Sequence, residues 1–468
     1  MSQYKKIDEQ DIAFFTQVLT SANVRTTDDD IQRCAADHTE DLSFLPEVVL
    51  LPENTTQVSV IMQYCHQHLI AVTPRGAGTG LSGGALPVWG GVVLDMKRFD
   101  KIIHIDTHNF QVTTEPGVIT QVLMEAVREK GLMYPPDPAS KGSCFIGGNV
   151  AENSGGPRAL KYGVVKDYVL NLEIVLADGT IMMTGANVLK NATGYNLTQL
   201  IVGSEGTLAV VTKIVLRLIP ATEQTLLMLV PFRKAVQACE AVNTILLAGC
   251  RPSALEFMER DAIAWSMKYV AQSTVSLPED IAAHLLIEVD GNDMDLLMKE
   301  AETIASELTQ YDIDEILFAD DNQQKEALWQ LRRKVGEAVK SHSVYKEEDT
   351  VVPRACLPEL LHIVKEIGRE YGFHSVCYGH AGDGNLHINI VKQNMSDEDW
   401  QQKLPEGIRK LFKEVVRMGG TISGEHGIGW VQKPYLDIAF SASQIALMQS
   451  IKQVFDPKGI LNPGKIWC

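Results

Sequence analysis

The segment Pro74-Arg-Gly-Ala-Gly-Thr-Gly-Leu-Ser-Gly-Gly84 sets five glycines among eleven residues, between two short apolar runs at Ala71–Thr73 and Gly91–Met96. Glycine admits backbone conformations closed to other residues and costs chain entropy on folding. Such a density therefore marks a loop built for tight turns and close approach to a ligand. The spacing of Gly78, Gly80 and Gly83 reads as GxGxxG, but a dinucleotide fingerprint of the Rossmann kind opens a helix. This loop instead runs through Pro87 into another predicted strand. What remains is a strand–loop–strand unit whose successive N–H groups can form an anion nest, suited to a pyrophosphate. Two further glycine blocks follow, Ile146–Gly156 after Pro135-Pro-Asp-Pro138, and Leu200–Ala209. Between them Asn171–Ile181 predicts a hairpin turning on Asp178-Gly179. Three such loops along one α+β domain suggest a single long ligand threaded across them, with a dinucleotide the natural candidate.

A second constraint lies in Tyr378-Gly-His-Ala-Gly-Asp-Gly-Asn-Leu-His387, answered by Ser423-Gly-Glu-His-Gly427. Imidazole and carboxylate suit a borderline divalent ion such as zinc. His380, His387 and Glu425 are the candidate ligands, which leaves His426 for proton transfer near neutral pH. The surrounding Gly379, Gly382, Gly384, Gly424, Gly427 and Gly429 again indicate tight turns and close approach.

A chain of 468 residues exceeds what one hydrophobic core usually holds. The text divides into a first domain over 1–220, with a polar helical lead-in over 1–44, a second over 221–420, and a segment 421–468 that returns to the first. After Pro220 the pattern predicts strands at 225–232, 254–258, 284–290 and 315–319, and helices at 233–248, 293–308 and 322–340. That succession is a β-α-β-β-α-β plait with insertions. The net charge of -17 argues against nucleic acid as a partner and against binding to anionic lipid. Eight scattered cysteines form no CxxC pair and no local iron–sulfur motif, which fits a reducing compartment. The N-terminus carries no apolar signal core and no apolar run reaches membrane-spanning length. The expected location is cytoplasmic, with peripheral association at the inner membrane left open.

Taken in order, the motifs PRGAGTGLSGG, PPDP, GGNVAENSGG, VGSEGTLAVVT, GHAGDGNLHINI, SGEHGIG and FDPKGILNPGK carry a resemblance that runs from about residue 45 to the end. They resemble the FAD-linked 2-hydroxy-acid dehydrogenases of the vanillyl-alcohol-oxidase, or PCMH-type, flavoprotein superfamily. Within it they resemble most the D-lactate dehydrogenase and glycolate oxidase flavoprotein-subunit group. The fold this implies is α+β: a PCMH-type FAD-binding domain, a ferredoxin-like substrate or cap domain, and a C-terminal segment returning to the FAD domain. The resemblance implies that Arg75, Gly76, Ala77, Gly78, Thr79, Gly80, Ser82 and Gly83 cradle the FAD pyrophosphate. Pro136, Asp137, Ser140, Gly147, Gly148, Asn149, Ser154 and Gly155 would line the flavin and its ribityl chain. Glu205, Gly206 and Val211 would reach the adenine end, and Asn462 the ring. No histidine occurs in these loops, so FAD is expected to be non-covalent.

The same resemblance assigns His380, His387 and Glu425 to the metal, zinc first with manganese or iron(II) as alternatives, and His426 to the base. Arg332 would grip the substrate carboxylate, with Lys346 as a second cation and Asn389 as a polar neighbour. The implied reaction oxidises a (D)-2-hydroxy acid, D-lactate or glycolate, to the 2-oxo acid. The α-hydrogen would pass as hydride to flavin N5 while His426 removes the hydroxyl proton with the metal's help. Electrons would go to an external quinone, electron-transfer flavoprotein or iron–sulfur subunit, and the chain could form a homodimer. D-2-hydroxyglutarate is an alternative substrate, although Gly336 stands where relatives specific for that diacid carry a hydroxyl residue. A flavoprotein subunit of a multi-subunit glycolate oxidase is a second alternative. A metal-dependent hydrolase built on His380, His387, Glu425 and His426 is a third, and it leaves the glycine loops unexplained.

Overall fold

The computed structural model describes residues 3–39, 41–270, 277–319 and 321–467; of the eight cysteines Cys468 lies outside them, and the other seven are free thiols. The chain forms two compact units: residues 1–154, 164–221 and 425–468, and residues 155–163 with 222–424.

The first unit holds two main sheets. β1 (Val24–Arg25), β2 (Val48–Leu50), β3 (Val72–Arg75) and β4 (Val92–Asp95) form a sheet in the order β1-β2-β4-β3, in which β2 and β3 both run parallel to β4. All three residues of β2 and all four of β4 are buried, as central parallel strands require. Helix Thr55–His68 covers the sheet. Asn54 caps its start by accepting from the Gln57 N–H, and Val58, Ile61, Met62 and Cys65 recur at the spacing that buries one face. The glycine loop joins β3 to β4 without a helix, as expected for a loop that opens no Rossmann unit. The C-terminal tail docks here too: Leu461 bridges Val72, and the Asn462 N–H donates to the Val72 carbonyl.

β5 (Ile102–Asp106), β6 (Gln111–Thr114), β7 (Leu132–Met133), β8 (Val169–Val175), β9 (Ile181–Met183), β10 (Val210–Arg217) and β11 (Ile219–Pro220) complete the strands of this unit. Five of them form an antiparallel sheet in the order β5-β6-β10-β8-β9, and β7 pairs with β11. The β8–β9 hairpin turns at Asp178-Gly179, with Gly179 at φ 90°. The second glycine block differs from its reading as a loop. Ile146–Glu152 is a short helix, because Gly147 lets its first turn close on Pro116, where a Cβ would come within 2.5 Å of the proline ring.

The second unit is one seven-stranded antiparallel sheet. Its strands are β12 (Gln224–Phe232), β13 (Ala254–Glu259), β14 (Ala283–Gly291), β15 (Leu317–Phe318), β16 (Tyr345–Val351), β17 (His374–His380) and β18 (Asn385–Val391), in the order β15-β12-β14-β13-β17-β18-β16. Its first four strands, with helices Ala235–Leu247 and Met294–Leu308, are the expected plait. β17, β18 and β16 extend the sheet beyond β13. Segment 155–163 also belongs here. Its Lys161 and Tyr162 hold the Asp290 carboxylate at 2.5 and 2.6 Å, and Arg158 pairs with Glu288 at 3.2 Å. The expected single helix over 322–340 is two, Asn322–Arg333 and Val335–His342. Lys334 (φ -91°, ψ 3°) breaks it, and Gly336 just beyond packs on Tyr378, where a Cβ would lie 3.1 Å from the phenol oxygen. Among the described residues no helix is long and apolar enough to cross a membrane.

Candidate active site

In the first unit the glycine loops face one another: a Cβ on Gly76 would lie 3.6 Å from the Cα of Gly148. Two glycines there have no internal reason to be glycine. Gly80 and Gly148 have ordinary backbone φ, and a Cβ on either would meet nothing within 4 Å. Open space in front of two such positions is what a cradle for an extended ligand provides; the Ser82 hydroxyl of the same loop is buried with no partner among the described residues. Gly78 is different. Its φ is 73°, and a Cβ would strike the Arg75 guanidinium at 2.1 Å.

Several residues expected to touch the cofactor also make hydrogen bonds or ion pairs within the protein. Arg75 is buried and donates to the Ala36 carbonyl at 2.8 Å, which braces the lead-in. Asn149 donates to the Thr120 hydroxyl at 2.6 Å, and Asp137 pairs with Lys141 at 2.7 Å. The Ser140 carbonyl accepts from the Ser143 and Cys144 N–H groups, and that of Ser154 from the Val165 N–H. Gly155 falls in the segment grouped with the second unit. Asn462 donates to the carbonyls of Gly84 and Glu205, at 3.0 and 2.7 Å, while its own oxygen accepts from Lys465. Glu205 accepts the N–H groups of Ile428 and Gly429 at 2.8 and 2.6 Å. Burial pushes its carboxyl pKa up, against the pull of those two donors. Glu205 thereby clasps the turn that follows His426. That turn requires glycine, since a Cβ on Gly427 (φ 81°) would lie 2.3 Å from the Glu152 carboxylate.

In the second unit the sheet register assembles the remaining residues. Tyr378 pairs with His387, His387 with Asp349, Asn389 with Glu347, and Glu256 with His380. Directly opposed residues share a face, so these seven lie on one side of the sheet. The turn 381–384 makes the hairpin tight: a Cβ on Gly384 would sit 2.0 Å from the Val352 carbonyl. The His380 and His387 rings lie 5.5 Å apart, edge to face, and both residues are buried. Arg332, at the end of helix Asn322–Arg333, is buried with its guanidinium 4.9 Å from the centre of the Tyr378 ring. It pairs with Glu256 at 2.7 Å, and its Nε has no hydrogen-bond partner among the described residues. It is therefore no solvated helix-face cation. Tyr378 donates to Glu347 at 3.1 Å; burial, then that carboxylate, push the phenol well above its ordinary pKa and keep it a donor. Asp349 accepts from Asn385 at 2.7 Å and from the Gly424 N–H at 2.8 Å, fixing the residue from which Glu425 and His426 continue in the chain.

Lys346 is not brought to this group. It pairs with Ile390, one residue out of phase with Asn389, and so lies on the other face of the sheet. Glu347 occupies the position on the site side. Glu256, Tyr378, Glu347 and Asp349 escaped the sequence reading. The signal for Glu256 was a carboxylate inside the strand Ala-Leu-Glu-Phe-Met-Glu, whose Ala254–Met258 stretch is fully buried.

With open glycine loops in one unit and a seven-stranded sheet bearing a buried arginine–histidine–carboxylate group in the other, the chain matches the flavin-dependent oxidoreductases in sequence and the PCMH-type architecture in fold. The chain belongs to the FAD-linked oxidases: residues 46–185 match the model of the FAD binding domain, and residues 221–466 that of the FAD linked oxidases' C-terminal domain. It is 37% identical to the glycolate oxidase subunit GlcD of Bacillus subtilis over 435 residues, 92% of this chain and 91% of that one. It is 38% identical to the D-lactate dehydrogenase of Archaeoglobus fulgidus over 419 residues, 90% of this chain and 91% of that one. The structure of p-cresol methylhydroxylase with substrate bound shares the fold, with a TM-score of 0.80 at 17% identity, covering 99% of this chain and 98% of that one.

Proposed function

We propose that this enzyme oxidises a small (D)-2-hydroxy acid, D-lactate or glycolate, to the 2-oxo acid. The observation that carries the reading is Arg332, a buried guanidinium stacked on Tyr378 and held at one edge by Glu256, with an unpartnered Nε among the described residues. Such a planar fork is a ready receptor for a carboxylate. Relatives named for glycolate and D-lactate support the substrate class. A short, uncharged side chain is favoured by two features of the same face. Glu347 adds negative charge beside Tyr378, and the space over Gly336 ends at the phenol oxygen. A second substrate carboxylate, as in 2-hydroxyglutarate, would meet repulsion there.

His380 and His387, with Glu425, would hold a divalent ion, zinc or alternatively manganese or iron(II). When bound, FAD supplies the two-electron acceptor and the ion the Lewis acidity that eases loss of the hydroxyl proton. Arg332 holds the substrate carboxylate, with the buried Asn389 on the same face; His426 takes the hydroxyl proton. Residues 1–220 with 421–468 would bind the cofactor and 221–420 the substrate. Electrons would leave to an external quinone, electron-transfer flavoprotein or iron–sulfur subunit, because the sequence carries no cluster motif of its own.

The test is anaerobic bleaching of the purified yellow protein by D-lactate, L-lactate, glycolate and D-2-hydroxyglutarate. Rapid bleaching by D-lactate or glycolate alone is the expected result. Bleaching by D-2-hydroxyglutarate alone would overturn the substrate assignment.

A further inference from the structure

We infer that Glu256 is a positioning residue that sets His380 for a metal ion and Arg332 for a carboxylate through a single buried side chain. The inference rests on the reading of the site just proposed. Glu256 lies at the third position of β13 and is fully buried, directly across the ladder from His380. A carboxylate in the middle of a sheet is costly unless each oxygen meets a donor; here both do. The His380 Nδ1 lies 2.8 and 2.9 Å from the two oxygens, and the Arg332 Nη2 lies 2.7 Å from Oε2.

One acid thus fixes two different groups. An ionised Glu256 accepts a proton-bearing Nδ1, which places the imidazole lone pair on Nε2 and locks the ring plane. That is the arrangement a metal-binding histidine needs, and the carboxylate raises its basicity as well. The same carboxylate holds one edge of the Arg332 guanidinium while the Tyr378 ring supports its face, so the Nε side is presented in a fixed direction. A role limited to neutralising Arg332 would need the charge but not the contact with His380. That difference can be tested.

The experiment uses the full-length, FAD-loaded protein, stripped of metal with a chelator, and compares the wild type with Glu256→Asp, Glu256→Gln and His387→Ala. The readouts are zinc affinity by calorimetry, thermal melting, and KM and kcat for D-lactate. Glu256→Asp keeps the charge that balances Arg332 and withdraws the carboxylate by one methylene. It is expected to melt near the wild type while binding zinc about 10- to 100-fold more weakly, with KM raised several-fold. Glu256→Gln is expected to weaken zinc binding similarly and to melt lower. Wild-type zinc affinity and KM in Glu256→Asp would overturn the inference and leave Glu256 as a charge neutraliser. Zinc binding by the wild type that is lost in His387→Ala supports the ligand reading on which it rests. A wild type that binds no zinc would refute that reading, and the metal half of the inference with it.

Discussion

Gly80 and Gly148 offer a test that separates a ligand cradle from a merely flexible loop. Neither has a positive φ, and a Cβ on either meets nothing within 4 Å. Replacing either with alanine should therefore leave the empty protein unharmed. Removing glycine's extra freedom from the unfolded chain should stabilise it by about 0.4–1 kcal/mol, with Gly148 gaining further because it lies inside helix Ile146–Glu152. If FAD fills the space in front of these residues, the same methyl group overpacks the complex, at a cost of about 1–3 kcal/mol. Since 1.4 kcal/mol is a factor of ten, FAD affinity should fall by roughly 5- to 150-fold. Gly91→Ala is the control. Its Cβ would sit 2.3 Å from the Ala71 carbonyl at φ 67°, so it should lower the melting temperature of apoprotein and holoprotein alike. The assays are thermal melting of the apoprotein and FAD titration followed by fluorescence quenching. Unchanged FAD affinity in both Gly80→Ala and Gly148→Ala would refute the cradle.

Arg332→Lys should keep the protein folded and flavin-loaded, because the ammonium can still balance Glu256. It should cut kcat/KM for D-lactate by roughly 10- to 150-fold, the loss of a charge-assisted hydrogen bond worth about 1.5–3 kcal/mol; steady-state kinetics with a dye acceptor would measure it. His284 is buried, and that burial, with Arg260 nearby, depresses its pKa from 6.5 to about 4. In that interval the unfolded chain binds a proton that the folded chain refuses. Its contribution is thus fully present above pH 6.5 and lost as pH falls toward 4, by about 3 kcal/mol. Urea melts at pH 7 and pH 4.5 should show a smaller acid loss in His284→Leu than in the wild type; equal losses would refute the assignment.

How much of this was legible in the sequence depended on chain distance. The tight turns and paired histidines of His380–His387 could be read because they sit within ten residues. Glu256 could not, since it lies 124 positions from His380 and only the pairing of β13 with β17 joins them. Lys346 shows how parity decides a strand. A shift of one residue moves a side chain to the other face, and the register gives the site position to Glu347. The plait was readable from alternating apolar runs, whereas the break at Lys334 was not, because the apolar spacing continues across it and the packing of Gly336 on Tyr378 is a tertiary contact. Arg75 carried the sequence signature of a phosphate contact, yet its nearest hydrogen-bond acceptor is a carbonyl of the lead-in, 39 residues away. Composition near a loop reports what could bind there; it does not report which side chains already have partners.

The most direct test of the account is anaerobic flavin bleaching by D-lactate before and after metal removal, with FAD content verified at each stage. The account predicts fast bleaching in the metal-loaded protein, slow or absent bleaching after chelation with FAD retained, and recovery on adding zinc or manganese. Bleaching at the same rate after the metal has been removed would contradict it, and would leave His380 and His387 as direct contacts to the substrate.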